Sequence, residues 1–164
     1  MANVYLIRHG IAADRQLYDR DSDRPLTEKG DRKTRQLARR WQEMGLTCDR
    51  VLTSPLVRAR QTAEILREAR ISDTIETSPF LAPGGDIDGW IDWWTQWRQA
   101  SSGDLALVGH QPDLGNWAEI LAWGRPGDKL TVKKAGIIGL TLPAGGSPKG
   151  SSQLFALIPP KFLL

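Results

Sequence analysis

Cysteine and histidine are nearly missing from this sequence, and long apolar runs are absent. Cys48 is the single cysteine, so no disulfide can close within the chain, and we expect a reducing compartment, the cytoplasm. Two histidines without a cluster of cysteine or acidic residues at ligand spacing give no case for a metal, and we expect no cofactor. Because no apolar stretch approaches membrane-spanning length and no signal-peptide pattern begins the chain, we expect no membrane partner.

Neither sign of charge is in large excess. The 22 basic and 19 acidic residues are mixed along the chain and leave a formal net charge of +3. This balance suits a protein that handles anions such as phosphate, and it falls short of the basic footprint of a nucleic-acid-binding protein. We therefore expect no nucleic-acid partner.

Segments with strand and helix periodicity alternate along the chain, with no repeat and no dividing linker. Strands are predicted at residues 4–7, 50–54 and 104–110, with a short edge strand around Ile75. Helices are predicted after PLTEKG, across the tryptophan-rich segment 90–97, and after His110. In the first of these, Thr27 is the predicted N-cap and Met44 shares the helical spacing of the inward apolar residues. A further helix is predicted to open at Pro55, since proline is tolerated in a first turn. This order predicts one α/β domain, residues 1–164, with three layers: a mostly parallel central sheet flanked by helices.

Two features complete the predicted fold. The late segments GIIGLTLP and QLFALIPP predict a β-hairpin joined by the Gly/Ser/Pro loop 143–151. Trp90, Trp93, Trp94 and Trp97 recur on one face of a helix, and large aromatic residues at this spacing usually pack on the sheet. We expect this Trp90–Trp97 face to belong to the core, and a docking role for one or two of its rings stays open.

Polar side chains follow three of the predicted strands, at the point where each strand ends. Arg8, His9 and Gly10 follow VYLI, His110 ends LALVGH, and Arg58 lies in the first turn of the helix after the 50–54 strand. Ligands of open α/β sheets bind at the carboxyl ends of strands, so we expect these residues to converge. Arginine matches phosphate oxygens, neutral histidine can attack phosphorus, and Gly10 is expected to let a ligand approach the backbone.

Four segments, LIRHG, PLTEKG, SPLVRARQTAEIL and LVGHQP, resemble the signatures of the histidine phosphatase superfamily, also called phosphoglycerate mutase-like. The small size, RPLTEKG and SPLVRARQT are most similar to its SixA-type phosphohistidine phosphatase branch. The resemblance implies a phosphoglycerate mutase-like fold and a phosphatase that needs no metal. It implies that His9 is the nucleophile and that Arg8 and Arg58 bind the phosphoryl oxygens. It further implies that His110 donates to the phosphate and stabilises charge in the transition state.

The sequence departs from this family where an acid is expected. Many relatives carry an acidic residue after RHG, where this chain has Ile11, and many that cleave phosphomonoesters have a glutamate general acid with no clear counterpart here. Asp86 is the local candidate for a general acid, and an N-cap of the tryptophan helix is its favoured alternative. A site without an acid suits phosphohistidine, because imidazole is a better leaving group than an alkoxide.

Other polar residues have two interpretations each. Ser54 could contact phosphate or cap the following helix, and Arg60 is expected to be a solvated or pocket-rim charge. The basic run 29–40 is expected to be a solvated helix face, with steering of acidic partners as the lesser alternative.

Together these features predict a phosphohistidine phosphatase that acts through a phospho-His9 intermediate. Its partner would be a phosphorylated protein, such as a histidine-containing phosphotransfer domain, because the short stretch between Arg58 and His110 leaves little chain for a lid. The alternatives are a small-molecule phosphomonoesterase of the same superfamily and a phosphate-binding module with weak catalysis.

Overall fold

A six-stranded mixed sheet runs through the protein in a computed structural model that describes residues 1–164. Its strands are β1 (Ala2–Arg8), β2 (Arg50–Thr53), β3 (Ile75–Thr77), β4 (Leu105–Gly109), β5 (Ile137–Leu142) and β6 (Gln153–Ile158). The helices are α1 (Glu28–Glu43), α2 (Val57–Glu68), α3 (Ile87–Ala100) and α4 (Asp113–Trp123). None of the four helices combines the length and apolarity needed to cross a membrane.

The strand order is β3-β2-β4-β1-β5-β6. Strands β1 to β4 are parallel, β5 pairs antiparallel with β1, and β6 pairs antiparallel with β5. The predicted late hairpin and the edge position of the strand at Ile75 are therefore confirmed. Proline at position 79, just past β3, is consistent with so short an edge strand.

Alternating side chains of the sheet bury into two separate hydrophobic clusters. Val4 and Leu6 of β1 face one cluster with Trp90, which lies on α3. Ile7, one residue on, faces the other cluster with Leu37 of α1. Because successive strand residues point to opposite faces, a sheet that is apolar on both sides must be covered on both sides. The predicted three-layer α/β architecture is confirmed.

Local predictions were mostly confirmed, with two exceptions. Thr27 caps α1 by accepting a hydrogen bond from Gly30 N at 2.9 Å, as predicted. Met44 was expected on the inward face of α1, but it follows the helix end and its side chain is 62% exposed. Pro55 does not open α2, which begins at Val57 after the N-cap Leu56.

The sheet opens between the carboxyl ends of β1 and β4, which are neighbours in the sheet. From β1 the chain continues to α1 on one face, and from β4 it continues to α4 on the other. Connections that depart to opposite faces leave a crevice at the strand ends, and this is where doubly wound sheets bind ligands.

Candidate active site

Both histidines of the chain lie side by side at this crevice. His9 follows β1 and His110 follows β4, and their ring centroids are 5.2 Å apart. Parallel pairing of the two strands brings them together, and His9 N donates to Gly109 O at 3.1 Å. Both side chains are buried, so they are held by protein contacts and not by solvent.

His9 presents its Nε2 lone pair to the crevice. Its Nδ1 lies 2.7 Å from Gly10 O, and because a carbonyl oxygen only accepts, the proton of the neutral ring must be on Nδ1. Arg58 Nε donates to His9 Nε2 at 3.3 Å, which agrees with an unprotonated Nε2. The nitrogen that could attack phosphorus is thus beside a guanidinium that could bind phosphoryl oxygens.

Both imidazoles are uncharged at neutral pH. Burial lowers the pKa of His9 to about 3, helped by the positive charges of Arg58 and Arg8, although the hydrogen bond to Gly10 acts in the opposite direction. Burial lowers the pKa of His110 to about 4, again with Arg58 contributing. Taking a cation out of water is unfavourable, and nearby cations make it more so.

The guanidinium of Arg58 is held from its far end by Asp21. Arg58 Nη1 donates to Asp21 O at 2.9 Å, and Nη2 donates to Asp21 Oδ2 at 3.0 Å. Arg24 donates from Nε to Asp21 Oδ1 at 2.9 Å, so one carboxylate joins two arginines. Burial alone would raise the pKa of Asp21, but these hydrogen bonds and positive charges lower it, and the carboxyl group is ionised.

Arg8, the last residue of β1, is half-buried and has an unused donor. Its Nη1 donates to Val132 O at 3.2 Å, whereas its buried Nε has no hydrogen-bond partner. Burial, with the charge of Arg58, lowers the pKa of Arg8 below its ordinary value. A buried donor without an acceptor is unfavourable, so an anion bound here would supply the missing acceptor.

His110 is anchored to the end of β2 through Ser54. His110 Nε2 and Ser54 Oγ are 2.7 Å apart, and Ser54 Oγ also accepts from Leu56 N at 3.2 Å. Ser54 is fully buried. Its predicted helix-capping role is not observed, because Leu56 is the N-cap residue and has no side-chain cap. Ser54 instead fixes the orientation of the second imidazole.

The structure shows the contacts of three other residues singled out in the sequence. A Cβ on Gly10 would overlap Thr34 Oγ1 on α1, so glycine lets the helix pack closely here, and the approach of a ligand to Gly10 stays a prediction. Asp86 Oδ1 accepts from Asp88 N at 2.9 Å as the N-cap of α3, and it makes no hydrogen bond to the histidines or arginines of the crevice. Arg60 is exposed, as expected.

The structure therefore brings together Arg8, His9, Arg58 and His110, and it leaves Asp86 outside the hydrogen-bonded group. Asp21 was not among the residues predicted from the sequence. Its only signal was a loop of alternating charges, DRDSDR, in which three aspartates are equivalent until the fold selects one. No group of three or more histidine, cysteine or acidic side chains converges anywhere in the structure.

The tryptophan helix packs mostly as predicted. Trp90 and Trp94 are fully buried in the core and stack with ring centroids 6.3 Å apart. Trp93 and Trp97 stack on each other at 5.8 Å, are partly buried, and pack against the same cluster. The Trp90–Trp97 face is therefore a core face whose outer pair reaches solvent.

Known proteins resemble this chain in sequence and in structure. Residues 4–82 match the model of the histidine phosphatase superfamily (branch 1). An uncharacterized protein of Picosynechococcus sp. is 49% identical over 162 residues, which are 98% of each chain. The solved structure of the protein histidine phosphatase SixA complexed with tungstate superimposes with a TM-score of 0.86 and 26% identity, over 99% of each chain. The α-ribazole phosphatase of Shigella flexneri, at 17% identity and a TM-score of 0.70 over 94% of this chain and 95% of that one, shares the phosphoglycerate mutase-like fold.

Proposed function

This chain belongs to the histidine phosphatase superfamily, and from that premise we propose that it hydrolyses phosphohistidine on a protein, with His9 as the nucleophile and without a metal. The observation that carries the proposal is the neutral His9 Nε2, 3.3 Å from Arg58 Nε and with its tautomer set by Gly10 O. A cytoplasmic location belongs to the same proposal and is motivated by the single cysteine.

The two arginines and two histidines would form the phosphoryl pocket. Arg58 binds phosphoryl oxygens through the edge that faces His9, because Asp21 occupies its far end. Arg8 contributes its unpaired Nε and a second positive charge. Fixed cationic donors stabilise the charge that develops on phosphoryl oxygens, and they need no rearrangement during the reaction. The tungstate bound to the similar SixA structure is a tetrahedral oxyanion of comparable shape.

Two steps account for the chemistry. His9 Nε2 attacks phosphorus while the bond between phosphorus and the substrate's ring nitrogen breaks, and the electron pair returns to that imidazole. The imidazole leaves as a neutral molecule when its other nitrogen carries a proton. Water then attacks phosphorus, releases His9 and yields inorganic phosphate. His110 donates to the phosphoryl group in both steps, with Ser54 holding its ring.

The lack of an available acid favours phosphohistidine over alkyl phosphates. Asp21 is the carboxylate that hydrogen-bonds to the pocket, and its lowered pKa makes it a poor proton donor. Asp86 is engaged in capping α3. An alkoxide requires a proton to leave, whereas an imidazole with a reference pKa near 6.5 does not require one from the enzyme.

A comparison of substrates tests the proposal. The purified protein should hydrolyse a phosphohistidine peptide far faster than an alkyl phosphate, and His9→Ala should abolish turnover while leaving the circular dichroism spectrum unchanged. Quenched reactions should contain one phosphoryl group per chain on His9, detected by mass spectrometry at high pH. If His9 is labelled but the protein hydrolyses the alkyl phosphate faster, the protein belongs with the small-molecule phosphatases instead. Tight phosphate binding with no turnover would indicate a binding module.

A further inference from the structure

A basic groove lies on the α1 face of the sheet, next to the candidate active site. Its volume is about 560 Å³, and it runs between α1, the segment before β5, and the turn after β6. Lys33, Lys133, Lys134 and Lys161 line it, together with Arg8. No lining residue has an acidic side chain. We call this feature the lysine groove.

The lysines of this groove form no ion pair within the protein. Four of the seven lysines of the chain are gathered here. None of the four has a nitrogen within 4.0 Å of a carboxylate, although ten ion pairs are present elsewhere. Since basic and acidic residues are nearly balanced overall, such a local excess of one sign points to an anionic partner.

The segment that carries Lys133 and Lys134 is held in place by buried polar contacts. Glu119, fully buried on α4, accepts from Gly127 N at 2.6 Å and from Lys129 N at 2.7 Å. Gln111 Nε2 donates to Leu130 O at 3.2 Å. A segment that is ordered before binding loses less conformational entropy when a partner docks.

The groove and the candidate active site share the end of β1. Ala135 N lies 3.0 Å from Arg8 O and 3.1 Å from His9 O, so the lysine-bearing segment packs directly on the residues of the site. Ile11, two residues after His9, lines the groove. A macromolecule that presents a phosphorylated side chain to His9 would therefore cover the lysine groove as well.

We infer that the lysine groove binds an acidic segment of the phosphorylated protein substrate, an inference that rests on the proposed function. A polypeptide fits better than a nucleic acid, because none of the lining residues is aromatic and single-stranded nucleic acids bind mainly by stacking on aromatic rings. The partly exposed, apolar Ile11 would pack against a side-chain stem of the peptide between the lysines.

Two matched peptides of about ten residues test this inference, a length that reaches at most ~36 Å when extended. Each carries one histidine followed by a run of glutamate in the first peptide and glutamine in the second. Fluorescence anisotropy of the unphosphorylated peptides measures the groove without turnover, and hydrolysis of the phosphorylated peptides measures the reaction. Exposed ion pairs are individually weak, so several together predict a preference of about tenfold for the glutamate peptide at low salt.

Charge reversal at the groove should remove this preference. Lys133→Glu/Lys134→Glu should bring the two peptides to equal affinity and leave hydrolysis of the glutamine peptide unchanged. The matched control is Arg39→Glu/Arg125→Glu, which changes net charge equally at two exposed arginines without ion pairs outside the groove, and it should keep most of the preference. The preference should also decline as salt rises through 0.5 M, where the screening length falls below ~5 Å.

The outcomes separate this inference from the proposed function. The groove assignment is overturned if the unchanged protein binds the two peptides equally, even if it hydrolyses both. It is also overturned if the control variant loses the preference for the glutamate peptide as fully as the lysine variant does. Tighter binding of a single-stranded oligonucleotide than of the glutamate peptide overturns it in favour of nucleic acid. Preferential binding of the glutamate peptide without any hydrolysis supports the groove and contradicts the phosphatase assignment.

Discussion

Acidification should reveal that both histidines are buried in their neutral form. An ordinary histidine with a pKa of 6.5 is about 90% protonated at pH 5.5. With a pKa of about 3 for His9 and about 4 for His110, less than roughly 5% of either ring should be protonated at that pH. The chain has no other histidine, so the imidazole signals of the folded protein belong to these two residues alone.

The same shift predicts how stability depends on pH. In the unfolded chain both rings take up protons as pH falls through 6.5. In the folded protein His110 stays neutral down to about pH 4 and His9 down to about pH 3. Because the pKa values in the folded state lie below the unfolded value, the contribution of the two neutral histidines to stability is fully present above pH 6.5 and is lost on acidification. At pH 5 each histidine should have lowered the free energy of unfolding by about 2 kcal/mol, or by about 4 kcal/mol together. That is a large part of the stability of an ordinary domain.

Nuclear magnetic resonance titration and urea denaturation measure the two consequences. The carbon and nitrogen chemical shifts of the two rings should keep the values of an uncharged imidazole from pH 7.5 to 5, and those of His9 should be typical of the Nδ1–H tautomer. The free energy of unfolding should fall between pH 7 and 5, and a His9→Asn/His110→Asn variant should lose much less over the same interval. A titration midpoint near pH 6.5 in the chemical shifts of either ring would refute the idea that burial keeps both histidines neutral. An equal loss of unfolding free energy in the variant would refute it as well.

Three further predictions concern the phosphoryl pocket and its support. Arg58→Ala should lower kcat/KM by about 10- to 100-fold, the size expected for one charge-assisted contact, and activity should survive EDTA; restoration of lost activity by a divalent ion would contradict a metal-free pocket. Asp86→Asn should barely change phosphohistidine hydrolysis, because asparagine also caps helices, and a selective loss with alkyl phosphates would identify Asp86 as a hidden acid. Gly10→Ala should lower the unfolding free energy by about 1–3 kcal/mol through overlap with Thr34, and adding Thr34→Ala should restore part of it; an unchanged melting temperature would contradict the packing argument.

The order of strands and helices was predictable because it depends on local periodicity. Burial of a strand on both faces produces an uninterrupted apolar run, as in LALVG, and each such run became a strand of the parallel sheet. Thr27 could be assigned as a cap because an N-cap side chain bonds to backbone within its own first turn. Convergence of His9 and His110 followed from a rule about strand ends, once parallel pairing was inferred.

Residues whose role depends on distant contacts could not be predicted. Gly10 packs against Thr34, 24 positions later on α1, and no local pattern contains that information. Asp21 was not distinguishable from its neighbours until the loop after β1 placed it on Arg58. Ser54 had two interpretations from the sequence, a phosphate contact or a helix cap, and neither included its short hydrogen bond to His110, which follows β4. Pairings across the fold depend on tertiary geometry and not on sequence spacing.

Burial of the two histidines has a consequence for the proposed reaction. The low pKa of His9 keeps its Nε2 free to attack, but a donor to the phosphoryl group needs a proton on its exposed nitrogen. A phosphoryl dianion beside His110 would raise the pKa of that ring, and the effect is stronger in a buried site than in water. His9 differs because its Nδ1 proton is already bound by Gly10 O, and its Nε2 becomes bonded to phosphorus. The substrate's own charge would thus give the two imidazoles their different roles, in a pocket where the free protein holds both neutral.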